Sequence, residues 1–268
     1  MISAAAGGPP IIEVIDVTKI YGSPAGNVAA LGQTSLRVSM GEFVAVLGPS
    51  GCGKSTLLMI IAGLVQASSG SVRFRGEDVK VPVTDLGIVF QKDLLFDWRT
   101  VLQNVTLQGD IRGLKAGEVR SRALTLLRKV GLEDFVARYP WELSGGMRQR
   151  VGLCRALVHN ASLLLLDEPF GALDALTRDQ MNLDLQALWS EEKRTAVLVT
   201  HSIGEAIFLA DRIIVMSPRP GQVVMDLGIE LPRPRTLELQ ESGAFLEYKR
   251  VIRMKMEELG VLHGQANR

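Results

Sequence analysis

The order of apolar and polar residues predicts strands in the first third of the chain. Residues 11–21, 36–38 and 71–75 are predicted strands, and the last alternates apolar and polar residues as a half-buried strand does. Phe43–Leu47 is apolar throughout, and the apolar stretch over residues 56–62 that follows a short glycine-rich segment predicts a helix. The chain therefore opens with a β-rich layer beside one strand–loop–helix unit.

The middle of the chain changes to helical periodicity, from about residue 101 to residue 160. This change predicts a helical subdomain inserted between two strands of the main sheet. One apolar stripe recurs there at helical spacing and consists of Val119, Ala123, Leu126, Leu127 and Val130.

Strands and helices alternate again after residue 160. Residues 162–166 form an apolar run that predicts a parallel strand buried on both faces, and Thr195–Thr200 and Arg212–Met216 are further predicted strands. Ser202 and Glu205 have the spacing of a capping box, and a terminal helix is predicted at about residues 241–259. The whole pattern predicts an α/β fold with a mostly parallel sheet, an N-terminal antiparallel β subdomain and an inserted α-helical subdomain.

Composition excludes several classes of protein. The chain has 268 residues, 47% of them hydrophobic, which is enough for a sizeable core. The formal net charge of +1 provides no strong field for nucleic acid, and two distant cysteines suggest neither a disulfide framework nor a metal cluster. The longest apolar run is much shorter than the ~18 residues of a membrane span. Residues 1–10 are predicted to be a flexible tail and not a signal peptide.

A phosphate-binding loop is the most specific motif of the chain. Residues 48–55 read Gly-Pro-Ser-Gly-Cys-Gly-Lys-Ser, between a predicted strand and a predicted helix, which is the context that the motif requires. Backbone N–H groups of such a loop surround phosphate oxygens, Lys54 would reach the β- and γ-phosphates, and Ser55 would hold Mg²⁺. The alternative is a glycine-rich turn that happens to precede Lys-Ser. The predicted binding residues are Gly48, Pro49, Ser50, Gly51, Cys52, Gly53, Lys54, Ser55 and Thr56.

Two acidic residues end the apolar strand at residues 162–166. Asp167 suits a role in holding Mg²⁺, often through water. Glu168 follows directly, where its carboxylate could act as the general base that polarises an attacking water. The alternative is a solvated acidic pair, which is less expected downstream of a phosphate-binding loop.

His201 and Gln91 also follow predicted strands. Because ligands bind at the carboxyl edge of open α/β sheets, His201 is predicted to contact the γ-phosphate and position the water. Gln91 could sense both the metal and the water. A lone histidine is usually structural, and a glutamine by itself shows nothing.

A second anion site is predicted where Ser144, Gly145 and Gly146 open a helix, because small residues leave backbone N–H groups exposed there. One nucleotide cannot easily use two distant sites in one chain. We therefore expect this site to serve a nucleotide held by another copy, in a two-fold dimer. The alternative is an ordinary N-cap that contains glycine.

Together these motifs resemble the ATPase subunit of ATP-binding cassette (ABC) transporters, a family with a P-loop NTPase core. Residues 48–56 match its Walker A motif, Gln91 its Q-loop, residues 143–150 its signature, and Asp167 with Glu168 its Walker B motif and catalytic glutamate. The resemblance covers about residues 11–220, with the helical subdomain at about 95–160, and leaves 221–268 as a C-terminal extension. It further implies a D-loop at Asp174, a switch histidine at His201 and an adenine-stacking aromatic at Tyr21.

The amino-acid sequences of residues 91–101 and 216–221 resemble those of the nitrate/sulfonate/taurine importer group. The resemblance implies a head-to-tail dimer that uses ATP and Mg²⁺, at the cytoplasmic face of the inner membrane. It also implies two transmembrane permease subunits, which would dock between Lys92 and Val101, and a substrate-binding protein that takes part indirectly. Trp98 in that segment is either part of this docking surface or core of the helical subdomain.

Several points stay open from the sequence. Met147 and Ser202 replace the commoner Gln and Asp of the family, and neither change is expected to abolish function. Cys52 is either redox-sensitive or a small residue tolerated by the loop, and Cys154 is predicted to be helix core. The alternative functions are a soluble P-loop kinase or GTPase, an ABC ATPase of DNA repair or translation without a transport role, and a nucleotide-gated scaffold.

Overall fold

The computed structural model describes residues 10–22, 24 and 26–261, and it divides into two compact units. The first unit combines the chain before residue 85 with the chain after residue 194, and the second is Asp85–Arg194. The predicted tail lies outside the described residues except for Pro10, which begins the first strand. The predicted domain boundary at residue 220 stays a prediction.

The described residues form ten strands and seven α-helices. In chain order they are β1 (Pro10–Tyr21), β2 (Val28–Ser39), β3 (Phe43–Leu47), α1 (Lys54–Ile61), β4 (Ser69–Phe74), β5 (Glu77–Asp78), β6 (Leu86–Val89), α2 (Val101–Ile111), α3 (Ala116–Lys129), α4 (Gly145–Leu157), β7 (Leu163–Asp167), α5 (Ala175–Glu192), β8 (Thr195–Thr200), α6 (Ile203–Leu209), β9 (Arg212–Met216), β10 (Val223–Gly228) and α7 (Gly243–Glu258).

The first unit contains two groups of strands. One is an antiparallel sheet in the order β2-β1-β4-β5. In the other, β3 lies between β8 and β9 and pairs with both in parallel, while β10 joins β9 antiparallel. Every residue of β3, β8 and β9 is buried, and these segments are apolar except for Thr195, Thr200 and Arg212, without the alternation of a half-buried strand. Both the N-terminal antiparallel sheet and the parallel strands were predicted, and both are confirmed.

The second unit holds the helical insertion. Its strands β6 and β7 pair in parallel, from Leu86 opposite Leu163 to Val89 opposite Leu166. Helices α2, α3 and α4 lie between these strands in the chain, and α5 follows β7. The apolar stripe that the sequence predicts for α3 is buried at every position, and α2 packs against both α3 and α4. The predicted helical insertion is therefore confirmed.

Some boundaries differ from the predicted ones. β2 begins at Val28 and not at residue 36, because β1 pairs with it over almost its whole length, with bulges that interrupt the alternating pattern. α4 ends at Leu157, slightly before residue 160, where the helical periodicity was expected to end. α7 begins at Gly243 because the Ser242 side chain accepts a hydrogen bond from the backbone N–H of Phe245 and caps the helix there. Among the described residues, no helix has both the length and the apolar composition needed to cross a membrane.

Candidate functional site

Two glycines set the backbone of the loop between β3 and α1. Gly51 and Gly53 have φ angles of 76° and 97°, in the left-handed region that favours glycine. A Cβ atom on Gly53 would also lie 2.6 Å from the backbone oxygen of Ala30 in β2. Gly53 is the N-cap of α1, and no side chain caps this helix end. The backbone N–H groups of the first turn of α1 are therefore suited to donate hydrogen bonds to an anion.

Lys54 is the first residue of α1, and only 4% of it is exposed. Its Nζ donates hydrogen bonds to the backbone oxygens of Gly48 at 3.0 Å and Pro49 at 2.9 Å. The ammonium group therefore lies against the loop backbone. A cation held in this way suits the charge of a bound phosphate group.

The segment between β9 and β10 contacts this loop through Gly221. Gly221 N donates to the oxygen of Ala30 at 3.1 Å, and Gly32 N donates to the oxygen of Gly221 at 3.0 Å. A Cβ atom on Gly221 would overlap the backbone oxygen of Cys52, so the two backbones touch. The sequence carries no signal for this contact, since the two residues lie far apart in the chain.

Replacing Gly221 by alanine is expected to weaken ATP binding by ~10-fold, which corresponds to about 1.4 kcal/mol. The added methyl group forces either the loop at Cys52 or the segment at Gly221 to shift. Titration with a fluorescent ATP analogue measures the effect. Gly228→Ala is the matched control, because a Cβ atom there meets nothing within 4 Å. Equal affinity of the two variants would show that the contact does not shape the loop.

β3 and β8 bring the glycine-rich loop and His201 to one edge of the first unit. Leu47 pairs with Thr200 in parallel register, so the next residues, Gly48 and His201, leave the strands side by side. His201 is exposed, and open α/β sheets bind ligands at this edge. The structure thus brings together two of the predicted site elements.

The start of α6, directly after His201, differs from the predicted capping box. Ser202 Oγ accepts a hydrogen bond from the Glu205 backbone N–H at 3.3 Å, as predicted. The Glu205 carboxylate, however, accepts from the Thr200 hydroxyl, and Ser202 N donates to Thr200 Oγ1 at 3.0 Å. The second half of the predicted box is wrong because the buried Thr200 hydroxyl takes both partners.

Tyr21 ends β1 with 41% of its surface exposed. The Nζ atom of Lys19 lies 4.9 Å from the centre of its ring, a cation–π distance. An exposed aromatic ring can stack on a base, so adenine stacking at Tyr21 stays a prediction.

Predicted site residues of the second unit lie together at the carboxyl ends of β6 and β7. Because Val89 pairs with Leu166, the residues Gln91, Asp167 and Glu168 lie at the same end of the two strands, with Asp167 as the last residue of β7. Asp167 is buried.

The side chains of Gln91 and Glu168 flank one point of this edge. A Cβ atom on Gly171 would lie 3.5 Å from Gln91 Nε2 and 3.7 Å from Glu168 Oε2. An amide and a carboxylate that converge in this way can orient a water molecule between them.

The backbone of Glu168 is unusual. Its φ angle of 45° lies in the left-handed region, where residues other than glycine are uncommon. Gly171 N donates to the Glu168 carbonyl at 3.1 Å and closes this turn. Sparsely populated conformations cluster at functional sites, and this one agrees with the role predicted for Glu168, although Asp16, Arg75, Leu94, Asn160 and Lys193 share a positive φ.

The predicted signature residues lie at the start of α4. Ser144 is the N-cap and its Oγ accepts from Met147 N, Gly145 is exposed, and Gly146 is buried. A Cβ atom on Gly146 would lie 2.8 Å from Thr177 Cγ2, so the glycine lets the two helices approach.

Asp174 caps α5, the helix that carries Thr177. Its carboxylate accepts from the Thr177 backbone N–H at 3.0 Å and from the Thr177 hydroxyl at 2.7 Å, and these bonds lower the pKa of Asp174. Through Thr177, the predicted D-loop and the signature glycine are packed together. A contact between Asp174 and nucleotide stays a prediction.

Polar side chains of α4 hold the segment that follows Gln91. Gln149 Nε2 donates to the Gln91 carbonyl at 3.1 Å, and Arg148 pairs with the Asp93 carboxylate at 2.9 Å. Arg155 donates to the carbonyl of Asp93 at 2.9 Å. The signature helix and the predicted Q-loop are therefore tied by hydrogen bonds, for which the sequence carries no local signal.

An exposed aromatic pair lies beyond this segment. Trp98 is 72% exposed and its ring centre lies 4.8 Å from that of Phe96. The pair lines an apolar groove of about 480 Å³. The alternative that Trp98 is core of the helical subdomain is wrong. The apolar residues of this groove are Ile88, Phe90, Leu94, Phe96, Trp98, Leu107 and Ile111.

Both cysteines are buried. Burial raises the pKa of Cys154 to about 12, so this thiol is inert core, as predicted. Cys52 is 1% exposed, and its sulfur would lie 2.8 Å from a Cβ atom on Gly48. This packing favours the interpretation of Cys52 as a small residue that fits the loop.

Comparison with known proteins assigns this arrangement to a family. The profile of the family described as ABC transporter matches residues 31–171. The chain belongs to the ABC transporter ATPase family. An uncharacterized ABC transporter ATP-binding protein of Methanocaldococcus jannaschii is 44% identical over 241 residues, which cover 90% of this chain and 89% of the relative. A taurine import ATP-binding protein of Rhizobium johnstonii is 45% identical over 236 residues, 88% of this chain and 90% of the relative.

Solved structures agree with this assignment. A dimeric ATP-binding cassette in a post-hydrolysis state, bound to ADP and Pi, superposes with a TM-score of 0.73 at 34% identity and covers 82% of this chain and all of that chain. The cbiO1 protein of Clostridium perfringens, part of the ABC transporter complex cbiONQ, superposes with a TM-score of 0.74 at 27% identity, over 94% of this chain and 97% of that chain.

This ABC ATPase binds and hydrolyses ATP, and the predicted resemblance to the importer group is confirmed by its taurine import relatives. The kinase and GTPase alternative is therefore wrong, as is that of a scaffold without hydrolysis.

Proposed function

We propose that this ABC ATPase powers the uptake of a small solute, of the nitrate, sulfonate or taurine kind, through partner membrane subunits. The exposed groove at Trp98 carries this proposal, because an ATPase that acts alone has no need of an apolar surface beside its Q-loop. The identity of 45% to a taurine import ATP-binding protein supports the solute class. Such a subunit would lie at the cytoplasmic face of the inner membrane.

Hydrolysis would depend on a few side chains of this chain. Lys54 would neutralise phosphate charge, and Glu168 would accept a proton from the attacking water. Gln91 and His201 would orient that water, since both follow strand ends at the edges where ligands bind. Positioning and charge stabilisation dominate phosphoryl transfer, so small errors in these placements would lower the rate strongly.

Magnesium fits the oxygen donors that the chain offers. Ser55 has a hydroxyl group, Asp167 a buried carboxylate and Gln91 an amide oxygen, all hard ligands of the kind that Mg²⁺ prefers. In the part of the chain that the structure describes, no group of three or more Asp, Glu, His or Cys side chains could coordinate a metal ion by itself. Mg²⁺ seldom needs one, because it binds one or two carboxylates together with substrate phosphates, whose charge it neutralises.

A second copy would complete each nucleotide site. The exposed N-terminus of α4, with Ser144 as its cap and a glycine at its first residue, offers N–H groups to an anion. A head-to-tail dimer would place this helix end of one copy against the nucleotide held by residues 48–56 of the other. The dimeric cassette at 34% identity supports this arrangement.

Trp98→Ala is expected to weaken co-purification with the permease subunits by ~10-fold or more, because a central exposed aromatic residue often carries much of the energy of an interface. The fold should be spared, since Trp98 is 72% exposed. A pull-down from detergent extracts of membranes, without nucleotide, measures the co-purification. The Tm of the purified variant shows whether the fold is retained. Trp141→Ala, which removes another exposed indole outside the groove, is the matched control. Equal recovery of permease with both variants would exclude the groove as the docking site.

The transport role has its own test. The purified complex, reconstituted in proteoliposomes with its binding protein, should hydrolyse ATP faster with one of taurine, nitrate or an alkanesulfonate than without solute. If no permease co-purifies and no solute stimulates hydrolysis, the chain is an ABC ATPase without a transport role.

A further inference from the structure

A buried arginine in the C-terminal part of the chain contacts the helix that follows His201. Arg235 is 1% exposed and is the largest fully buried side chain among the described residues. Its Nη1 donates to the backbone oxygens of Ile207 at 2.7 Å, Phe208 at 3.2 Å and Ala210 at 2.7 Å. Three carbonyls at one end of α6 therefore share a single guanidinium group.

The position of this cation suits the helix. The last carbonyls of a helix lack partners within it and carry partial negative charge, so a guanidinium group there both satisfies and stabilises them. Burial lowers the pKa of Arg235 to about 10, which still leaves the group charged at neutral pH. Nη2 of the same group donates to the Leu231 oxygen at 3.4 Å, a second contact that the single nitrogen of a lysine could not make from the same place.

Arg233 adds a second contact at the same helix end. Its Nη2 donates to the Leu209 oxygen at 2.5 Å and to Asp211 Oδ1 at 2.8 Å. The other Asp211 oxygen accepts from the backbone N–H of Phe43, the first residue of β3, at 2.9 Å. The end of α6 is thus joined to the strand that leads into the phosphate-binding loop.

The opposite end of α6 holds the residues on both sides of His201. Ser202 caps the helix, and the Thr200 hydroxyl bonds both Glu205 of α6 and Ser202 N. With 7 residues, α6 is only ~10 Å long. A short helix that is held at both ends moves as a rigid body. A displacement of the C-terminal end of α6 would therefore also displace its N-terminal end, which directly follows His201.

We propose that Arg235 is a positioning residue. It acts through α6 to hold His201 in the position from which His201 contacts the γ-phosphate and orients the attacking water. The inference rests on the proposed role of His201 and assigns a role to the C-terminal extension, which the sequence left open. A purely structural role of Arg235 is the alternative.

A double-mutant cycle tests the proposal. Arg235→Gln should lower the kcat of ATP hydrolysis by ~10-fold with little change in KM, because a mispositioned group costs rate while Lys54 still binds phosphate. In a His201→Ala background the same substitution should lower kcat no further, although Tm falls by the same amount in both backgrounds. Arg235→Lys should recover part of kcat, and Arg250→Gln, at an exposed arginine of α7, is the control that should change nothing.

Other results of this cycle would contradict either the role of Arg235 or that of His201. If Arg235→Gln lowers kcat equally in both backgrounds, or lowers only Tm, Arg235 does not act through His201. If His201→Ala alone leaves kcat unchanged, the proposed role of His201 fails, and with it the inference.

A milder variant covers the case in which Arg235→Gln does not fold. Arg233→Gln removes the contacts to Leu209 and Asp211 but leaves Arg235 in place, and the ring resonances of His201 should then shift in an NMR spectrum. His159, which lies in the second unit, is the internal reference. Unchanged His201 resonances would contradict the link through α6.

Discussion

Glu168→Gln is expected to lower the kcat of ATP hydrolysis by ~10³-fold while ATP binding is retained, because a general base contributes about 10²- to 10⁴-fold to a rate. The amide keeps the shape of the side chain but cannot accept the proton of the attacking water. Since the γ-phosphate then persists, the variant should accumulate as a nucleotide-bound dimer. Phosphate release measures the rate, and size-exclusion chromatography with Mg²⁺ and ATP measures the dimer.

Glu133→Gln provides the matched control for that variant. Glu133 is an exposed glutamate of the same unit, so its replacement should change neither turnover nor oligomeric state. Normal turnover of the Glu168 variant would remove Glu168 from the role of base. A monomer that retains nucleotide would instead contradict the dimeric arrangement.

Lys54→Ala is expected to weaken ATP binding by ~100-fold, because a charge-assisted bond to phosphate contributes up to about 3 kcal/mol. The two bonds from Lys54 to the carbonyls of Gly48 and Pro49 are also lost, so a lower Tm should accompany the effect. A binding titration below the Tm of the variant separates the two consequences. Lys80→Ala, at an exposed lysine outside the loop, should leave both quantities unchanged. A folded Lys54 variant with unchanged affinity would contradict the phosphate-loop assignment.

The phosphate-binding loop could be predicted because its determinants are local. Glycines at left-handed φ angles and a lysine at the first position of α1 follow one another within a few residues. The positions of Asp167 and His201 at strand ends could be predicted for the same reason, since each ends or follows a fully buried strand whose composition is visible in the sequence.

The supporting contacts could not be predicted, because they join distant parts of the chain. Gly221 meets Cys52, and Arg235 meets the end of α6, only after the strands have paired. The reciprocal capping box at Ser202 and Glu205 failed for a related reason. The local pattern favours it, but the buried Thr200 hydroxyl offers both residues a partner that spacing alone does not show.

By itself, the sequence determined the family and the order of strands and helices, and it predicted which residues would bind and hydrolyse ATP, because short-range patterns of glycine, charge and apolar residues encode them. The tertiary structure decided which of these residues are neighbours, that Trp98 is exposed, and that Arg235 holds the helix after His201. The physical reason is that strand register, burial and contacts between distant segments arise only when the chain has packed.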